Sequence, residues 1–118
     1  MKYAFATLLV LNFLTEILAA AALIGGSEGV MAAGKGNMWS MHYGFAALAI
    51  ASVSLWSWRS RSDLSVVTVV LGILVTFHTG LLVSLLLAGD QQAGVVMHAV
   101  LATLSILLFF QRSKWCAA

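Results

Sequence analysis

Charge is what this sequence has least of. Asp, Glu, Lys and Arg together make up 8% of 118 residues, where a soluble globular chain carries about a quarter. A water-facing surface cannot be built from so few. Proline is absent altogether, so none interrupts the apolar runs described below. The single cysteine, Cys116, excludes a disulfide-stapled secreted domain. The scarcity of polar residues excludes disorder. Six Lys/Arg against four Asp/Glu supply no basic face, which excludes nucleic-acid binding. Specific motifs are missing too: there is no HExxH, CxxC, GxSxG or glycine-rich phosphate loop.

What is present is hydrophobic: 62% of the residues, with a mean hydropathy of +1.02. Four apolar stretches, Tyr3 to Ile24, Met38 to Trp58, Leu64 to Ala88 and Ala93 to Phe110, each approach the ~20 residues that span ~30 Å of hydrocarbon as helix. The connectors Gly25 to Asn37, Arg59 to Asp63 and Gly89 to Gln92 are rich in glycine and polar residues, which is turn chemistry. Strand-like alternation is absent. The expected fold is all-α, one integral membrane domain over residues 1–118 built as an up-down four-helix transmembrane bundle. Lys2, the apolar run and Ala20-Ala21-Ala22 also resemble a signal peptide. Glu16 interrupts that run, and it is read as a membrane helix.

Basic residues set the orientation. Lys2, Arg59, Arg61, Arg112 and Lys114 fall on one side of four alternating helices, and Lys35 falls alone on the other with Glu28 and Asp90. Both termini are therefore expected in the cytoplasm, with a bacterial inner membrane as the compartment. Aromatic residues agree: Tyr3, Trp56, Trp58 and Trp115 lie at the inner interface, Trp39 and Tyr43 at the outer one. Cys116 then sits in a reducing compartment and needs no partner. Met41-His42 and Met97-His98 open the second and fourth helices, with further matches at a separation of 56 residues. Taken as a repeat, they imply two similar hairpins.

Ionisable side chains within a bilayer are costly unless paired, so each is a functional candidate. There is one on each helix: Glu16, His42, His78 and His98. At 1.5 Å per residue they lie roughly 12, 6, 15 and 8 Å below the outer surface. Glu16 shares a helix face with Asn12, Ala19 and Ala20, and His98 with Gly94, Ala102 and Ser105. His42 leads Phe45, Ala46 and Ala49. Small residues beside polar ones favour close helix packing in lipid, so all three stripes are expected to face a common centre. A carboxyl at the depth of Glu16 is either protonated or paired with a histidine. His42 and His98 are equally readable as interfacial caps, His78 as a core histidine bonded to Thr76 or Thr79, and the methionines as packing.

Three functions remain open. The first is a redox cofactor: b-type haem ligated by His42 and His98, with His78 as a further ligand, or copper held by His42, His98, Met41 and Met97. The second is an accessory subunit or homo-oligomer, packed through Gly72, Thr76 and Gly80 on the third helix. The third is a small enzyme or carrier for a quinone, sterol or lipid, with Glu16 and His78 as acid and base. In each, function is expected in the outer half, where the glycine-rich loop Gly25 to Asn37 is a candidate lid.

Overall fold

The computed structural model describes residues 1–25, 38–89 and 91–116, without the side chains of Met38 and Trp39. Among the described residues the chain forms four α-helices and no strand: α1 (Lys2–Gly25), α2 (Met38–Ser57), α3 (Leu64–Ala88) and α4 (Gln92–Gln111). One 3₁₀ turn, Trp58–Ser60, follows α2, and another, Arg112–Lys114, follows α4. The expected loop lid, together with Glu28, Met31, Lys35 and Asp90, lies outside the described residues.

Local chemistry explains the ends of α3. Asp63 caps its first turn, its carboxylate accepting from the backbone N–H groups of Ser65 and Val66 at 2.8 and 3.1 Å. Gly89 ends the helix in the left-handed region (φ 74°) and donates its N–H to the Leu85 carbonyl.

Among the described residues, three helical runs are long and apolar enough to cross a membrane: Lys2–Gly25, Leu64–Ala88 and Gln92–Lys114. With 20 residues, α2 has the length. Ser40, His42, Tyr43, Ser52, Ser54 and Ser57 dilute its apolar character, so the second of the expected spans is the least hydrophobic of the four.

The helices pair as two hairpins, α1 with α2 and α3 with α4, and the hairpins meet more lightly along α1–α4 and α2–α3. The first pairing is close because a seam of small residues on α2 lies against α1. Ser40, Gly44, Ala47, Ala51 and Ser54 recur at spacings of four and three, and all are buried. A Cβ at Gly44 would lie 2.7 Å from the Ile24 side chain and 3.2 Å from the Ile24 backbone nitrogen. The stripe expected to face inward on α2 faces outward: His42, Phe45, Ala46 and Ala49 are all exposed. Phe45 is too bulky for so close an approach, and the glycine-alanine-serine seam takes the interface instead.

The apolar core fills the end of the bundle that carries both termini. Phe5, Leu8 and Leu9 of α1 pack there against Val67, Val70, Leu71 and Leu74 of α3 and against Leu101 and Leu108 of α4. Trp115 closes this end, its ring 5.3 Å from that of Phe5. Arg112 ties α4 to α3 by donating from Nε to Thr68 Oγ1 at 2.8 Å, while its guanidinium lies over the Phe109 ring.

Candidate metal centre

The buried stripes of α1, α3 and α4 change character along their length. On α1 the sequence Phe5, Leu8, Leu9 continues as Asn12 and Glu16; on α3, Val67, Val70, Leu71 and Leu74 continue as His78. On α4 the same stripe runs back from Leu108 and Ser105 to His98. Helical spacings of three and four therefore bring an asparagine, a carboxylate and two imidazoles to one level, above the apolar core. All four residues are buried.

The hydrogen bonds fix the orientation of these groups. Asn12 Nδ2 lies 3.0 Å from the Ile50 carbonyl oxygen and 2.8 Å from Ser54 Oγ, both on α2. A carbonyl only accepts, so the amide nitrogen must face α2 and Asn12 Oδ1 must face α3. Oδ1 meets His78 Nε2 at 3.0 Å. Since Oδ1 only accepts, Nε2 carries the proton, and Nδ1 of neutral His78 presents a bare lone pair.

That lone pair points into a triangle. His78 Nδ1 is 3.0 Å from His98 Nδ1, and each of these nitrogens is 3.9 Å from Glu16 Oε1. Among the described residues, neither buried oxygen of Glu16 has a hydrogen-bond partner. Glu16, His78 and His98 thus bring one carboxylate oxygen and two imidazole nitrogens within 4.8 Å of one another. Bonds of ~2.0–2.1 Å to one ion set tetrahedral donors ~3.3–3.4 Å apart, and the observed edges of 3.0 and 3.9 Å bracket that spacing. The second nitrogen of His78 is already held by Asn12, as ligating histidines generally require. Phe77 walls the site, its ring edge-on to His78 and His98 at centroid distances of 5.2 and 6.4 Å.

Of the residues singled out from the sequence, Glu16, His78 and His98 come together, and His42, Met41 and Met97 do not. His42 is exposed on α2, and Met41 and Met97 are 39% and 40% exposed. The suggested repeat fails on environment here, because His98 is buried and its counterpart His42 is not. The expected haem pair, His42 and His98, is split, with His42 exposed on α2 and His98 buried. Met41 and Met97, the thioethers of the expected copper site, are exposed, while Glu16, His78 and His98 are buried. Gly72, Thr76 and Gly80 lie on the outward side of α3, with nothing within 4 Å of a Cβ placed at either glycine.

Three residues of the site carried other readings or none. Asn12 was placed on the Glu16 stripe without a role, and Ser54 was not singled out. The signal for Ser54 is its place in the small-residue seam of α2, one heptad beyond Ala47. Tyr43 was read as an interfacial aromatic. Its hydroxyl is buried, has no hydrogen-bond partner among the described residues, and lies within electrostatic range of Glu16. No protein-family model matches this chain, and no curated protein or solved structure matches it either.

Proposed function

We propose that this chain is an integral membrane protein of four spans, both termini cytoplasmic in a bacterial inner membrane, that holds one divalent metal ion between Glu16, His78 and His98. The observation that carries the reading is the meeting of three buried atoms able to ligate a metal, one of them on a carboxyl group with no hydrogen-bond partner among the described residues. Burying the Glu16 oxygens without partners costs several kcal/mol. A cation bound by Glu16, His78 and His98 offsets that cost.

Two imidazoles and one carboxylate suit borderline ions, Zn²⁺ or Fe²⁺, better than soft Cu(I). Three protein donors leave coordination positions open, as in His₂Glu zinc sites and 2-His-1-carboxylate iron sites. Around such an ion each residue has a definite task. Asn12 holds the His78 ring in its ligating tautomer. Phe77 and the leucine core exclude water, and Glu16 supplies the negative charge. The chemistry favoured at this depth is on an apolar substrate, such as a quinone, sterol or lipid.

Titration of the detergent-purified, metal-free protein with Co²⁺ tests the reading, because its visible bands report nitrogen and oxygen ligation. One equivalent is expected to bind, with the bands lost in His98→Ala. Absence of saturable binding would overturn it. The 3.0 Å Nδ1 to Nδ1 spacing favours one other reading, a metal-free triad that shares a proton between the histidines. That reading predicts no Co²⁺ bands at all.

A further inference from the structure

A second site lies on the outer side of the α1–α2 hairpin, away from the metal centre. A groove of about 350 Å³ runs between the two helices, walled by Val10, Phe13 and Leu14 on one side and Leu55 and Trp58 on the other. Val10, Leu14 and Leu55 are about half exposed, so the groove opens sideways. Along α1 it extends from Leu9 to Leu14, roughly 7–8 Å at the helical rise.

One end of the groove is apolar and the other is cationic. Arg59 lines it just beyond α2 and is exposed. Its neighbour Arg61 is engaged elsewhere: it donates to the Trp58 carbonyl at 2.7 Å and lies over the Trp58 ring at 4.7 Å. That contact pins the indole as a wall of the groove and leaves Arg59 as the cation at its mouth. Lys2, Arg112 and Lys114 lie at the same end of the bundle, so the local field is positive.

We propose that the groove binds one anionic phospholipid, with an acyl chain between α1 and α2 and the phosphate on Arg59. The proposal rests on the membrane reading above and is independent of the metal centre. A bidentate guanidinium–phosphate contact supplies the headgroup selectivity. The apolar walls hold the chain in register with it. The groove also reaches Ser54, whose hydroxyl accepts from Asn12, so the occupant lies two hydrogen bonds from His78.

Native mass spectrometry of the full chain, released from detergent with added phosphatidylglycerol or phosphatidylcholine, tests this. One phosphatidylglycerol is expected to stay bound, preferred about five-fold, the equivalent of the ~1 kcal/mol that a basic residue contributes near an anionic headgroup. Arg59→Gln should abolish the preference, and Lys2→Gln and Lys114→Gln should retain it. Val10→Trp, which fills the groove, should weaken binding of both lipids. Metal content should be unchanged in Arg59→Gln, which separates this site from the centre at Glu16. Equal loss of preference in all three charge variants would show a diffuse basic surface and overturn the proposal, as would undiminished binding in Val10→Trp.

Discussion

Asn12 determines which nitrogen of His78 carries the proton. Its amide nitrogen is committed to α2 at 3.0 and 2.8 Å, so its oxygen can only accept from His78 Nε2, 3.0 Å away. The imidazole is thereby turned, as a lone pair, toward Glu16 and His98. A residue on one helix thus sets which nitrogen of His78 faces the Glu16–His98 triangle, through a contact neither helix could make alone.

Replacing Asn12 should therefore affect metal binding without removing a ligand. Asn12→Leu is expected to weaken Co²⁺ affinity by about 10–100-fold, the usual cost of losing an outer-shell partner of a ligating histidine. It should also cost about 1–3 kcal/mol of stability, since Ser54 and His78 lose a buried partner. Parallel Co²⁺ titration and thermal unfolding of the variant check both effects.

The histidines should separate cleanly. His78→Ala and His98→Ala should weaken Co²⁺ binding by more than the ~10–100-fold expected for an outer-shell change. His42→Ala, Met41→Leu and Met97→Leu should leave it unchanged, because those side chains lie outside the buried triangle. Equal losses across both groups would move the site to the outer end of the helices.

Glu16 should distinguish charge from shape. Glu16→Gln is expected to abolish high-affinity binding, because an amide oxygen carries no charge to offset the ion. In the metal-free protein, Glu16→Ala should be the less stable variant, since glutamine can donate to a histidine lone pair and alanine cannot. Unfolding of the two metal-free variants, followed by circular dichroism, checks the order.

Close packing in the α1–α2 hairpin makes a glycine test available. Gly44→Ala places a methyl group 2.7 Å from the Ile24 side chain and should cost about 1–3 kcal/mol through overpacking. Gly80→Ala meets nothing within 4 Å, and the better helix propensity of alanine should stabilise it by about 0.5–1 kcal/mol. Thermal unfolding in one detergent compares the two.

The helical fold was largely legible in the sequence because each helix is a mostly apolar run between polar turns. Leu64 to Ala88 matches α3 at both ends, with Asp63 and Gly89 as its caps. The site was partly legible. Glu16 and His98 sit on stripes of small or polar residues, and such stripes do turn inward. His42 shows where that logic stops. A histidine near a helix end can lie outside the bundle at little cost, and the face of α2 that packs is chosen by the smallest side chains. The Asn12–Ser54 bridge and the buried Tyr43 hydroxyl depend on how α1 sits against α2, which no single-helix periodicity encodes.

Elemental analysis of the detergent-purified protein, set beside His98→Ala and His42→Ala prepared identically, is the most direct measurement. The proposed centre predicts about one zinc or iron per wild-type chain, the same in His42→Ala, and essentially none in His98→Ala. A wild-type protein that remains metal-free after incubation with Zn²⁺ or Fe²⁺, or metal that survives in His98→Ala and disappears in His42→Ala, would contradict it.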